Sequence, residues 1–409
     1  MAAIVLASCM QDELLDGRQP SENSGAVTFE SYLGRDAVTR ATVEDVTTLR
    51  DHGFGVMAWY TGQDYYTEDY ESSEYDYDFM VNTQVLHDGT KWSYTPLKYW
   101  PNNTDDKLTF LAYAPYDEAY SAVQEGNVTA LSQTIDFVVE NEVKNQTDLL
   151  WSDNPENENM TKPTVDSKVL FTFKHALSRI GFKVAAFVDE VRTDEGGVSY
   201  ELDANTVIDI KRVMLVSGTT EYDADNTVTP IGVFHTGGTL DLYNFTPADA
   251  DETVAAAWNI KLPDDGSEGQ YFELTADDHF INTVTDDNGA SVFRLSGSDA
   301  TVLQTLNAED SYIMIIPQNF AEEFTDGYKV YIEYDVVTTG SNALGEEDDS
   351  IVTNCILSDT ALMTDFQSGK AYTLNIYLGM TSVKFDVLVD DWLDGDPADT
   401  DEYLPENTL

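Results

Sequence analysis

The sequence predicts an all-β fold with two β-sandwich domains in tandem, and three observations support this. The chain has 409 residues, and its 23 tyrosines and 18 phenylalanines are side chains that β-strands favour. Apolar residues recur at every second position in many short stretches, which is the pattern of half-buried strands. Segments rich in Asp, Gly, Asn, Thr and Ser separate these stretches, as turns require. Many short strands at close spacing are typical of β-sandwiches.

Residues 1–25 are predicted to be the remnant of a lipoprotein signal followed by a tether. Leu6-Ala7-Ser8-Cys9 has the form of a bacterial lipobox, so Cys9 is the predicted lipidation site, and the alternative is a buried free cysteine. A secretory signal needs a basic segment and about 7–15 apolar residues. The residues before Cys9 provide neither, so we expect the signal to extend upstream or to have been trimmed. Residues 10–25 are polar and rich in turn formers, as a tether would be.

Residues 26–200 are predicted to form the N-terminal β-sandwich domain. Alternation predicts strands in GFGVMAWY, in KLTFLAYAPY up to Pro115, and in KVLFTFKHALSRIGFKVAAFV. Residues 41–53, ATVEDVTTLRDHG, are the best candidate for a short helix. The polar stretch DEVRTDEGGVSYELDANTV predicts a domain boundary near residue 200.

Residues 201–393 are predicted to form the C-terminal β-sandwich domain, and residues 394–409 an acidic tail. The predicted strands lie in TVIDIKRVMLVSG, SYIMIIPQ, GYKVYIEYDVV, KAYTLNIYLGM and SVKFDVLVDDW. In the last of these, Val383, Phe385, Val387 and Val389 alternate with Lys384, Asp386, Leu388 and Asp390.

The charge of the chain excludes several classes of partner. The 75 acidic and 21 basic residues give a net charge of −54, which repels nucleic-acid phosphates and anionic lipids. Beyond the N-terminus no apolar run reaches the roughly 18 residues of a membrane helix, so membrane attachment requires a lipid anchor. If Cys9 carries lipid, Cys355 has no partner, which excludes a disulfide framework.

No motif predicts a metal site, a cofactor or an enzyme. The five histidines are scattered, HExxH and CxxC are absent, and the alternation around His175 indicates a structural role. DDWLDGDPADTD resembles a calcium loop, but it places Trp392 where an oxygen ligand is required. There is no GxSxG elbow, phosphate loop or dinucleotide fingerprint. Carboxylate pairs are too abundant to indicate a glycosidase.

Several motifs, taken in order, resemble the fimbrillin family, the subunits of type V pili. They are WSYTPLKYWP (92–101), FLAYAPY (110–116), QTDLLWS (146–152), FKHALSRIGFKV (173–184), MIIPQ (314–318), GKAYTLNIYL (369–378) and SVKFDVLVDDW (382–392). The resemblance covers residues 25–393. It implies two transthyretin-like β-sandwiches, no enzyme activity, export as a surface lipoprotein of the outer membrane, and incorporation into a fimbrium.

The resemblance also implies assembly by strand exchange. An arginine-specific protease removes an N-terminal strand, and a C-terminal strand of a neighbouring pilin fills the groove by β-augmentation. On this sequence the cut is expected after Arg40, with Arg35 and Arg50 as alternatives. AVTFESYLG (26–34) would be the strand removed, with Val27 and Phe29 on its buried face.

The tail departs from the family pattern, in which stalk subunits carry an apolar donor strand after the final Trp. Here Trp392 is followed by LDGDPADTDEYLPENTL, which contains six acidic residues and two prolines. Acids and prolines make a poor donor strand. We therefore expect a tip or accessory subunit rather than a stalk subunit.

Two other functions remain open. The tyrosine-rich segment YTGQDYYTEDYESSEYDYDF (60–79) suits a surface lipoprotein that binds glycans or another surface ligand without polymerising. An exported hydrolase with two carboxylates is the third hypothesis, and it requires two buried acids beside a cleft.

Overall fold

A computed structural model describes most of the chain. The described residues are 25–33, 46–66, 78–120, 133–164, 168–187, 191–192, 198–199, 202–225, 227–244, 255–260, 269–319, 327–340, 350–358, 365–379 and 382–392. Statements about structure below concern these residues.

Strands dominate the described residues, as the alternation predicted, and the single α-helix among them is α1 (Val46–His52). It lies within the expected helical segment 41–53. Four short 3-10 helices cover Glu118–Tyr120, Val143–Asn145, Pro155–Asn157 and Ser298–Thr301. The strands are β1 (Phe29–Leu33), β2 (Phe54–Gly62), β3 (Asp78–His87), β4 (Trp92–Ser93), β5 (Lys107–Ala114), β6 (Thr134–Val138), β7 (Leu150–Ser152), β8 (Met160–Thr161), β9 (Val169–His175), β10 (Ser178–Ala186), β11 (Val191–Arg192), β12 (Val198–Ser199), β13 (Thr206–Ser217), β14 (Gly237–Asp241), β15 (Ala257–Ile260), β16 (Phe272–Thr275), β17 (Val284–Thr285), β18 (Ser291–Ser296), β19 (Gln304–Thr305), β20 (Ile313–Ile315), β21 (Gln318–Asn319), β22 (Tyr328–Thr338), β23 (Ser350–Leu357), β24 (Asp365–Phe366), β25 (Lys370–Leu378) and β26 (Val383–Asp391).

The first β-sandwich is built on an eight-stranded sheet. Its strand order is β1-β9-β7-β5-β2-β3-β4, and β8 pairs with β5. The chain beside β4 also contacts β1 through a main-chain bridge between Ala26 and Tyr99. The sheet therefore curls back on itself around one core, in which Phe54, Phe110 and Phe171 are buried.

The second β-sandwich packs two sheets against one another. One sheet has the order β17-β18-β13-β22-β23 with β16 on β13, and the other has the order β19-β10-β25-β26 with β20 on β10. Apolar side chains of both sheets, such as Ile180, Leu374, Ile208 and Val330, share one core cluster. β10 and β25 run parallel, and β26 pairs with β25 at the edge of its sheet.

A third apolar cluster lies between the two cores. It combines Met57 and Leu111 from the first sandwich with Met314 and Trp392 from the second half of the chain. The three-stranded sheet β15-β14-β6 contributes to it. The domain boundary near residue 200 stays a prediction, while β10, on its N-terminal side, packs into the second core.

Candidate strand-exchange groove

β1 forms one border of the first sandwich and is held there by its alternate side chains. Phe29 in β1 and Val27, two residues before it, are 2% and 0% exposed, as the alternation of AVTFESYL predicted. β1 runs parallel to β9, with residue pairs from Phe29–Val169 to Leu33–Phe173. The strand therefore supplies apolar surface to the core and main-chain pairing to β9.

The other side of β1 is bordered by the chain segment that follows β4. Val27 donates its main-chain N–H to the carbonyl oxygen of Lys98 over 2.9 Å, and Trp100 donates to the oxygen of Gly25 over 3.0 Å. The Tyr94 hydroxyl donates to the oxygen of Val27 over 2.8 Å. The N-terminal part of the segment thus lies in a groove with hydrogen-bonding partners on both sides.

Four aromatic rings surround Phe29 at the floor of this groove. The ring centroids of Tyr94, Phe171, Phe110 and Phe54 lie 5.2, 5.5, 6.1 and 6.3 Å from that of Phe29. The Phe54 and Phe110 rings meet Phe29 edge to face, the geometry in which aromatic pairs attract beyond simple burial. We call this set of four rings the aromatic box.

The outward face of β1 is polar and contributes little energy. Glu30 forms an ion pair with Lys168, and about half of each side chain is exposed to solvent. Exposed ion pairs are worth about 0–1 kcal/mol. Tyr32 on the same face is 41% exposed. The inward face therefore determines how tightly the strand is held.

The chemistry of the groove is that of binding an extended strand. Burial raises the pKa of Tyr94, so its hydroxyl keeps its proton and remains a donor to a strand carbonyl. The aromatic box offers apolar contact, and β9 offers a parallel main-chain edge. Such a groove can hold β1 or an incoming strand of the same pattern.

The structure places the predicted processing residues in different regions. Cys9, Arg35 and Arg40 lie outside the described residues. Arg50 lies in α1 and is exposed, next to Leu49, which is buried in the first core. The Gly53 N–H donates to the Leu49 oxygen over 2.9 Å at the end of this helix.

Sequence reasoning missed the far border of the groove, namely Tyr94 and residues 98–100. The density of aromatic residues in WSYTPLKYW was the available signal, because Trp92, Tyr94 and Trp100 are all buried in the first core. Nothing in a single sequence shows that this segment lies against β1.

The last described residue, Trp392, fixes the end of β26 to the junction between the two cores. Its indole ring stacks on His175 with centroids 3.9 Å apart and planes 2° apart. The Arg179 guanidinium lies 5.1 Å from the indole centroid. Buried Asp148 contacts the His175 ring nitrogen Nδ1 over 2.8 Å. His175 is thus part of a packed, hydrogen-bonded cluster.

The described residues contain no group of three or more histidine, cysteine or acidic side chains arranged to hold a metal ion. None of their helices is long and apolar enough to cross a membrane.

Comparison with known proteins decides the family. A family model described as fimbrillin-like matches residues 39–392. The chain belongs to the fimbrillin-like family. It is therefore a structural pilus subunit of a cell-surface appendage, and the resemblance carried by the seven sequence motifs is confirmed.

A curated relative and a solved structure agree with this assignment. Fimbrium subunit Fim1C of Phocaeicola vulgatus is 25% identical over 99% of this chain and 97% of its own length. A fimbrial protein of Bacteroides vulgatus has the same fold, with a TM-score of 0.63 and 21% identity over 90% of this chain and 99% of that chain. The prediction of β-sandwich domains is confirmed.

Proposed function

We propose that this fimbrillin-like subunit joins its neighbours in a type V pilus by protease-activated strand exchange, with β1 as the strand removed. The observation that carries the proposal is the position of β1. Val27 and Phe29 fill a groove whose borders hydrogen-bond to the strand from both sides. Removal of β1 would uncover the aromatic box and one edge of β9, and an unpaired edge of this kind recruits another strand.

We propose Arg40 as the processing site. A protease needs an exposed, extended chain at the scissile bond, and local opening of packed structure opposes cleavage. Arg50 is less suitable because it lies in α1 beside the buried Leu49. A cut after Arg40 separates β1 from the rest of the first sandwich and leaves α1 in place.

We further propose a tip or accessory position rather than a stalk position. The support is the composition of residues 393–409, in which acidic residues and prolines replace the apolar alternation of a donor strand. Such a subunit accepts a strand from a neighbour without supplying one from this tail. The lipobox at Cys9 supports export as a lipoprotein to the outer membrane before processing, and the proposed role involves no catalysis.

The alternative function, a glycan-binding lipoprotein that does not polymerise, has weaker support. Of the described tyrosines in residues 60–79, Tyr65 is 69% exposed, whereas Tyr66 is buried in the cluster between the cores. The Lys107 ammonium lies 4.4 Å from the Tyr65 ring centroid. Among these described tyrosines, one exposed ring covered by a lysine is a small platform for a sugar.

The test is limited proteolysis of the purified protein and of Arg40→Ala, with Arg35→Ala and Arg50→Ala as matched controls. We expect an arginine-specific protease to release a fragment that ends at Arg40 from the wild type and from both controls, but not from Arg40→Ala. Mass spectrometry identifies the cut. Cleavage at Arg50 alone, or a first sandwich that loses its structure once cut, would contradict the proposal.

A further inference from the structure

We propose that the groove beneath β1 selects its donor strand by an aromatic side chain in the aromatic box, and that this donor comes from a different subunit. The inference rests on the proposed strand exchange and specifies the partner. The groove requires an apolar residue, any residue and then an aromatic residue, with an acid preferred at the next position and the donor running parallel to β9.

The aromatic box encloses the Phe29 side chain closely. Phe29 is 2% exposed, and rings lie around it at 5.2 to 6.3 Å. A smaller side chain would leave part of this space empty, and proteins lose stability in proportion to such cavities. An aromatic residue is therefore the side chain that fills the box.

The position two residues before Phe29 is also enclosed. Val27 is fully buried, and its main chain is fixed by Lys98 and by the Tyr94 hydroxyl. A carboxylate placed there would lose its hydration, which is unfavourable unless a cation pairs with it, and the Lys98 ammonium lies over the Phe79 ring instead, 5.5 Å from its centroid. The donor must therefore be apolar at this position.

The residue after the aromatic position faces outward, towards Lys168. Glu30 pairs with Lys168, so an acid here is tolerated and attracted, whereas a lysine would face another lysine. This contribution is small, and it sets a preference rather than a requirement.

The tail of this chain does not fit these positions. Apart from the two prolines, each apolar residue after Trp392 has an acid or an amide two positions before it. The pairs are Asp391 before Leu393, Asp396 before Ala398, Asp401 before Tyr403, Glu402 before Leu404 and Asn407 before Leu409. Placing Tyr403 in the aromatic box in the parallel direction would bury Asp401 at the Val27 position. A second copy cannot therefore donate this tail.

The pattern Val-x-Phe-acid occurs twice in the chain, as Val27–Glu30 and as Val383–Asp386. The second copy forms part of β26, which pairs with β25 at every residue from Val383 to Asp391. Trp392 then secures its end by stacking on His175. This second Val-x-Phe-acid stretch is already engaged within its own sheet, which favours a different subunit as the source of the donor.

The experiment uses the full chain after protease treatment and follows the exchange of labelled synthetic peptides into the groove by fluorescence anisotropy. The peptides are AVTFESYL (26–33), its alanine analogue AVTAESYL, SVKFDVLV (382–389) and ADTDEYLP (398–405). We expect the first and third to bind. The alanine analogue should bind at least about 100-fold more weakly, and ADTDEYLP should show no binding.

The outcomes separate this inference from the proposed function. If AVTFESYL itself does not bind, or no cut occurs, strand exchange at this groove fails. If AVTFESYL and AVTAESYL bind equally, the groove opens but the aromatic requirement is wrong. If the cut protein assembles alone into multimers, the donor is a second copy rather than a different subunit.

A second measurement needs no cleavage. In the uncut chain, Phe29→Leu should lower the thermal midpoint of the first sandwich. The control is Phe293→Leu, at a buried position of the second sandwich outside the box. Phe29→Leu should lower the midpoint of its own sandwich by more than the control lowers the midpoint of the second sandwich. Equal shifts would show that the box accepts aliphatic side chains.

Discussion

Replacement of Phe29 by alanine in the uncut chain should destabilise the first sandwich by about 4 kcal/mol. Truncation of a buried phenylalanine costs about 3–5 kcal/mol. The side chain is 2% exposed, and two of its four ring contacts, with Phe54 and Phe110, have the edge-to-face geometry that adds attraction beyond burial. These contacts place the cost in the upper half of the range. Domains of this size are stable by about 5–15 kcal/mol, so the loss would be a large fraction of the total.

The assay is urea unfolding of the purified protein, combined with amide hydrogen exchange to locate the loss. Exchange should accelerate in β9 and remain slow in β13 and β22 of the second sandwich. Tyr32→Ala is the matched control because Tyr32 lies on the outward face of the same strand and is 41% exposed. Its effect should stay within about 0.5 kcal/mol. A loss below about 1 kcal/mol for Phe29→Ala would refute the reasoning, since β1 would then not be an integral part of the core.

Three further predictions concern the second half of the chain. Trp392→Ala should cost about 3–5 kcal/mol and accelerate exchange in β26, whereas Leu388→Ala, at an exposed position, should not. Burial raises the pKa of Tyr334 to about 12. Its contribution to stability is therefore complete below pH 10 and lost as the pH rises towards 12. The urea concentration at the midpoint of unfolding should fall over this interval, and it should fall less in Tyr334→Phe than in the wild type. Arg294→Met should cost about 2–3 kcal/mol, because Asp209 is buried and receives two 2.7 Å hydrogen bonds from Arg294. A change of less than about 0.5 kcal/mol in the free energy of urea unfolding would contradict this.

The individual strands could be predicted from the sequence because alternation is a local property. Phe54, Val56 and Ala58 face the first core as expected, and β5 ends at Ala114, before Pro115. The prediction was incomplete where both faces of a strand are buried. Met57 and Leu111 point to the cluster between the cores, and their apolar character gave no indication of which surface covers them.

The candidate groove was only half predictable for the same reason. The inward positions Val27 and Phe29 follow from the period of two, and both are buried. The parallel pairing with β9 and the hydroxyl contact from Tyr94 depend on how distant segments meet. Such tertiary choices are set by the whole core and are not recorded in any short stretch of sequence.

We propose that β1 is removed before the subunit enters a fimbrium. The most direct measurement is the intact mass and N-terminal sequence of this chain recovered from fimbriae sheared from the surface of its native cell. We expect a chain that begins at Ala41, accompanied by a strand contributed by a different subunit. A chain in assembled fimbriae that still carries Val27 and Phe29 covalently, on a lipidated Cys9, would contradict it.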